Sequence, residues 1–203
     1  LKKPACTACI DAKRAPPLCD ACLAKFTGTN CEKCADPTMS GSNCNVPLEV
    51  PATAYCKSVA NWQSGWRKLE DQVVSLVNAR RAKAATCGTK KFGKVPPLKA
   101  HPALRCAARK HSVDMVKKGY FSHINKQGET PFVRIKKAGY GYSSAGENIA
   151  AGKSTAGETM KAWMNSPSHC ANIMSPKFTQ IGVGYYPGGP YKHMWTQNFG
   201  KPK

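Results

Sequence analysis

Residues 162–186 read AWMNSPSHCANIMSPKFTQIGVGYY, and two changes of rhythm in and around them decide the fold. Upstream, Thr155-x-x-Glu158 matches a capping box, in which a hydroxyl and a carboxylate each satisfy a backbone N–H at a helix start. It predicts a helix from Glu158 to Asn165. Downstream, Phe178, Gln180, Gly182 and Gly184 alternate with Thr179, Ile181, Val183 and Tyr185, the period of a strand over 178–186. Pro187-Gly188-Gly189-Pro190 then turns the chain. Met194 to Phe199 makes a second strand, antiparallel to the first across that short loop.

Working outward towards the N-terminus, the period changes to that of helices. Leu69, Val73, Leu76 and Val77 fall at i, i+4, i+7 and i+8, and Ala84 continues the stripe, predicting a helix over 67–85 that ends before Gly88. Pro96-Pro97-Leu98 is extended. Pro102 opens a second helix at its first position, with Leu104, Ala108, His111 and Met115 inward and Gly119 as its stop. Thr130-Pro131 starts a third short helix, closed by Gly139. Four helices followed by a strand pair predict an α+β chain, an αβα sandwich, because helices must cover both faces of an antiparallel sheet.

The first residues have a different character. Of eleven cysteines, seven precede residue 45: Cys6, Cys9, Cys19, Cys22, Cys31, Cys34 and Cys44. The first six form three CxxC pairs spaced about a dozen residues apart with turn formers between them. Such pairs hold zinc as thiolates or form disulfides, and crowding in a segment poor in apolar residues favours covalent staples in place of a core. The stretch CLAKFTGTNCEKC, residues 22–34, resembles EGF-like and laminin-type EGF repeats. The expected organisation is a small disulfide-rich module over 1–46, a linker over 47–66 containing Pro47 and Pro51, and the layered domain over 67–203. Trp62 and Trp66 are too apolar for a free tether and are expected to dock on that domain. Cys87 and Cys106 are expected to pair and pin the loop between them. Cys170 is expected to pair with Cys56 or to remain a thiol beside His169 and join a metal site. The odd cysteine total leaves one thiol without a partner in the chain, or a partner upstream of Leu1.

Charge narrows the function classes. Residues 56–203 carry 25 Lys and Arg against 6 acids, 25 − 6 = +19 of the total +20. Such a domain attracts polyanions, and because most of its cations are lysines the attraction is diffuse. No apolar run is long enough to span a bilayer. The chain starts at Leu1 with no hydrophobic leader, which fits a processed or trimmed protein and does not argue against secretion. There is no P-loop, dinucleotide fingerprint or Gly-x-Ser-x-Gly. Nucleic-acid binding beyond non-specific attraction is not expected, since no reading motif is present.

Four segments in order, AARKHSVDMVKKGYFSH (107–123), AGENIAAG (145–152), AWMNSPSHCANIMSPKFTQIGVGYY (162–186) and WTQNFG (195–200), resemble the CAP superfamily in its bacterial SCP-like variant. That superfamily also includes cysteine-rich secretory proteins, antigen 5 and plant pathogenesis-related proteins. The likeness covers about 68–200. It implies the αβα sandwich and a cleft holding two His and usually two Glu, and here His123, Glu147 and His169 match three of them. The fourth position departs from the pattern: three residues after Trp163 stands Ser166, not an acid. Glu158 lies eight residues earlier than Ser166, about 12 Å along a helix, and is read as a helix cap.

His123 and His169 are the residue types that hold zinc or another divalent ion, with Glu147 as a third ligand or as the group that orients a histidine, and with positions left open for water. The same three could equally form a hydrogen-bonded polar cluster tying helices to a loop. His111 is expected to be a satisfied core histidine, and His101 and His193 to lie at the surface. Ser122 has no base and orienting group to make it a nucleophile. The composite expectation is a secreted, extracellular binding module attached to an anionic surface, polysaccharide or matrix protein. The resemblance adds a lipid or sterol as an implied ligand. A metal-assisted hydrolase of peptide or cell-wall polysaccharide and a structural component of an extracellular assembly are the alternatives.

Overall fold

The computed structural model describes residues 49–203 as one stretch, preceded by four two-residue strands, β1 (Phe26–Thr27), β2 (Lys33–Cys34), β3 (Met39–Ser40) and β4 (Val46–Pro47). β1 pairs with β2 and β3 with β4, both antiparallel. The expected cysteine ladder, its disulfides and its EGF-like character otherwise lie outside the described residues.

A four-stranded sheet in the order β7-β9-β10-β8 forms the middle layer: β7 (Lys99–Ala100), β9 (Gln180–Pro187), β10 (His193–Pro202) and β8 (Tyr142–Ala151). β9 and β10 pair antiparallel, as expected; β8 adds to β10 antiparallel and the short β7 to β9 in parallel. Helix α2 (Pro102–Lys117) covers one face. The approach is backbone to backbone, because a Cβ on Gly182 would stand 2.0 Å from Arg105 N and one on Gly184 would stand 2.3 Å from Arg109 N. The glycines on one side of the alternating strand are therefore the bed of a helix.

The opposite face carries α1 (Ser64–Arg81), α4 (Ala156–Asn165) and α5 (Pro167–Ile173). Val73, Val77, Met160, Trp163 and Ile173 bury against Ile181, Val183, Trp195 and Phe199. The layers are those of the expected αβα sandwich. The capping box is formed, with Thr155 and Glu158 exchanging both bonds. Among the elements of the domain, β8, α5 and the short strands β5 (Ala85–Cys87), β6 (Lys90–Phe92) and β7 were not anticipated. The break between α4 and α5 has a local cause: the residue before a proline disfavours the helical region, and Ser166 sits at φ −95°, ψ 121° before Pro167.

The first helix ends four residues earlier than expected. Arg81 closes it, buried, donating to the carbonyls of Pro96, Ile173, Ser175 and Phe178. Ala84 leaves the stripe, and Ala85–Cys87 instead forms β5, paired with β6 (Lys90–Phe92). Leu76 is 38% exposed, so the inward stripe is Val73, Val77 and Arg81 with Glu70.

The segment before α1 packs on the domain. Val50, Cys56 and Val59 join Ala103, Cys106, Ala107 and Ile135 in a core between α2 and α3 (Pro131–Lys137). Trp62 stacks over the Arg109 guanidinium at 4.7 Å and meets Trp66 edge-on. Among the described residues, the disulfides are Cys56–Cys106 and Cys87–Cys170, with Cα separations of 5.7 and 5.4 Å. The expected partners are thus exchanged: Cys56 lies in the strap crossing α2, which holds Cys106, and the β5–β6 hairpin lies against α5, where a Cβ on Gly88 would stand 3.0 Å from Pro167. Among the described residues, no helix is long and apolar enough to cross a membrane.

Candidate functional site

β8 is the outer strand of the sheet, and Glu147 lies at its middle, paired in register with Asn198 of β10. Directly opposed residues point the same way, so both side chains face α2. There the Glu147 carboxylate is buried, and its oxygens are fully engaged. His123 Nδ1 lies 2.9 Å from Oε1. Arg134 Nη2 donates to Oε1 at 3.1 Å and to Oε2 at 2.9 Å. With its amide nitrogen turned to Glu147, Asn198 donates to Oε2 at 3.0 Å and accepts from Ala108 N at 3.1 Å.

His123 stands on the loop after α2, its side chain 47% exposed. Nδ1 donates to the carboxylate, so Nε2 is the ring nitrogen that Glu147 leaves free. Phe121 and Ile124, on the same loop, are exposed on either side of it in sequence. His111 holds this loop from beneath: its Nε2 lies 2.9 Å from Ser122 O and donates to it. The imidazole is fully buried and its Nδ1 has no partner, so the expected satisfied core histidine is satisfied at one nitrogen only. Burial holds its pKa down at about 4, against the pull of Glu147, whose Oε1 is 3.9 Å away.

His169 reaches the same neighbourhood from α5, on the other side of the β8 edge. Burial, and then the charge of His123, hold it below the usual histidine range. Its backbone carbonyl accepts from Asn148, the next residue along β8 after Glu147. Asn148 in turn bonds Gln197 and Asn172, and Asn172 also donates to Glu147 O at 3.4 Å. The bend at Ser166–Pro167 thus brings α5 to the sheet edge, where the charge of His123 is felt at His169.

The remaining expected participants lie elsewhere. Glu158 is exposed and serves the capping box, whose Thr155 hydrogen bonds hold its carboxyl below the usual range. Ser122 Oγ accepts from Ile124 N and has no base beside it in hydrogen-bonding contact. His101 and His193, expected at the surface, are both half-buried. His101 Nδ1 caps α2 by accepting from Ala103 N, and His193 Nδ1 meets the Tyr185 hydroxyl at 2.7 Å. Cys170 is disulfide-bonded and is no thiol ligand.

As a third zinc ligand beside His123 and His169, Glu147 does not fit this arrangement; its contact with His123 Nδ1 is that of an orienting group. Among the described residues, no three His, Cys, Asp or Glu side chains gather as a metal-holding group. Both Glu147 oxygens face donors, and Arg134 already neutralises the carboxylate. A catalytic zinc needs three protein ligands, and the imidazoles of His123 and His169 supply two.

The profile of the CAP family, cysteine-rich secretory proteins, matches residues 74–199. This chain belongs to the CAP family. A Bacillus subtilis (strain 168) relative, YkwD, is 40% identical over 156 residues, covering 76% of this chain and 56% of its own length. A second from the same organism, the membrane protein YlbC, is 29% identical over 138 residues, covering 66% and 36%. This CAP chain therefore spans only about half, or less, of the relatives it matches. Among solved structures it is similar to an extracellular SCP-domain protein of Bacillus anthracis, with TM-score 0.59, 28% identity and coverage of 70% of this chain and 44% of that one. It shares its fold with an outer surface protein of Borrelia burgdorferi, TM-score 0.57 at 22% identity, covering 66% and 92%.

Arg134, Asn198 and His111 were not read from the sequence as participants in the Glu147 cluster of this CAP chain, though two of them left a trace. Arg134 falls on the buried face Pro131, Arg134, Ile135, Ala138, where a cation implies a buried partner. His111 sits on the apolar stripe of α2. Asn198 sits among the buried residues of β10, and nothing in its spacing marks it.

Proposed function

We propose that this chain is an extracellular CAP-family binding module, retained on anionic surface polymers by its lysines, with the Glu147 cluster as its polar framework and not a catalytic centre. One observation carries the reading: each of the six acids in residues 56–203 is engaged within the domain. Glu70 pairs with Arg109, Asp71 with Arg105, Asp114 with Lys118, Glu129 with Lys137 and Glu147 with Arg134, while Glu158 caps a helix. The lysines left over face solvent, so the excess charge is presented outward. The two disulfides suit an oxidising compartment. Relatives described as extracellular and as an outer surface protein support the same location. A hydrolase would need a free base or metal-ligating carboxylate in the cleft, and Glu147 is committed to Arg134 and Asn198.

The test is retention on a carboxylated polysaccharide matrix under a sodium chloride gradient. Release is expected at moderate salt, because exposed charges are screened beyond about 8 Å at physiological ionic strength. A His123→Ala, His169→Ala variant should elute at the same salt. Retention through 1 M salt, or turnover of a peptide or cell-wall substrate lost in that double variant, would overturn the proposal.

A further inference from the structure

A groove runs along the outer edge of β8, between the β5–β6 hairpin and the loop joining α5 to β9. It has a volume of about 710 Å³, within the range of sites that enclose a ligand of several rings. Lys90 and Lys91 form one wall and Lys177 the other. Phe92, half-buried with Lys90 Nζ 5.3 Å from its ring centroid, supplies apolar surface, and Asn172 and Ser144 supply an amide oxygen and a hydroxyl. No acid lines it. Two other cavities differ in this respect: one sets Asp71 beside Arg67 and Lys68, and the other sets Asp114 and Glu129 among its cations.

Both walls are fixed before any ligand arrives. Cys87–Cys170 ties the hairpin bearing Lys90 and Lys91 to α5. The buried Arg81 guanidinium, held by the carbonyls of Ile173, Ser175 and Phe178, pins the loop bearing Lys177. A groove that need not be ordered on binding loses little of its interaction energy to entropy.

From this geometry we infer that the groove binds a stretch of acidic glycan, a sugar chain carrying carboxylates or phosphates. Sugar rings offer apolar faces to an aromatic ring, hydroxyls to an amide and a serine, and charged substituents to flanking lysines. The groove presents all three chemistries together. The inference deepens the surface-attachment reading and rests on it: the domain's diffuse charge brings it to the polymer, and this groove selects the acidic chain.

The experiment is calorimetric titration, at physiological salt, with an oligogalacturonate of defined length, the neutral maltohexaose, and polyglutamate matched in charge to the oligogalacturonate. Lys90→Glu with Lys91→Glu and Lys177→Glu should weaken oligogalacturonate binding at least tenfold. Lys57→Glu with Lys117→Glu and Lys161→Glu, which changes net charge equally, should weaken it less than threefold. Phe92→Ala should weaken it about fivefold, and maltohexaose should bind far more weakly than its acidic counterpart. Thermal melts establish that each variant is folded. Equal losses in the two triple variants would overturn the groove while leaving surface attachment standing. Polyglutamate binding as tightly as the acidic sugar would overturn the glycan assignment. A wild-type protein held by none of the anionic probes even at low salt would remove both readings.

Discussion

One nitrogen of Arg134, Nη2, bridges both carboxylate oxygens of Glu147, at 2.9 and 3.1 Å, and both side chains are 2% exposed. Removing one partner of a buried pair leaves the other as an uncompensated charge, a loss of about 3–5 kcal/mol. Glu147→Gln should lower stability by that order in denaturant titration. Arg134→Met should do the same and also free the carboxylate: zinc binding, measured by competition with a chelating dye, should strengthen at least tenfold over wild type. No gain would mean that Arg134 is not what keeps Glu147 from a metal.

His111 predicts a pH dependence with a definite sign. Its folded pKa is about 4, and an exposed histidine titrates near 6.5. Between those values the unfolded chain binds more protons than the folded one, so stability rises with pH across that window and is lost as pH falls. The full depression corresponds to about 3 kcal/mol at most. His111→Gln, which keeps a donor for Ser122 O, should flatten the slope of stability between pH 4 and 6.5. An unchanged slope would assign it to other groups.

How much of this was legible follows from what periodicity can carry. The hairpin 178–199 announced itself through strict alternation and a Pro-Gly-Gly-Pro turn, and α2 and α3 through Pro at their first turns. β8 did not, because Tyr142–Ala151 mixes small and polar residues whose fit depends on α2, α4 and α5 packing around it. The candidate site divides the same way. His123, Glu147 and His169 stood in recognisable segments. Arg134, which decides the chemistry of Glu147, was only an arginine on an apolar helical stripe, and its partner lies on a strand that spacing did not reveal. Helix 64–81 stopped early for a reason no local pattern holds: its last residue, Arg81, is claimed by carbonyls more than ninety residues away.

The disulfide pairing is open to direct mapping. Peptides from non-reduced digestion should join Cys56 to Cys106 and Cys87 to Cys170, and none should join Cys87 to Cys106. Each bond closes a long loop, with sequence separations of 50 and 83. The chain-entropy treatment then assigns roughly 4 kcal/mol to each. The two removals should differ in where they act. Cys87→Ser with Cys170→Ser should speed hydrogen exchange in α5 and the β5–β6 hairpin. Cys56→Ser with Cys106→Ser should loosen residues 49–63. Protection lost in the opposite segments would contradict the pairing.

The seat of α2 on β9 makes the last prediction. At Gly184 an added Cβ would stand 2.3 Å from Arg109 N, 2.4 Å from the Ala108 carbonyl carbon and 2.6 Å from its oxygen. None of these atoms belongs to a flexible side chain, so the methyl of Gly184→Ala can be accommodated only by moving the helix off the sheet. That movement would stretch the Ser112 hydroxyl bonds to Gly184 O and Thr196 Oγ1, and the pairing of Arg109 with Glu70. Overpacking of a rigid interface costs about 1–3 kcal/mol, and the added loss of buried polar partners places this variant at or above the upper end. Gly157→Ala, at a position open to solvent on α4, supplies the control and should be neutral or slightly stabilising. A Gly184→Ala protein as stable as wild type in urea would mean that α2 does not lie directly on the strand.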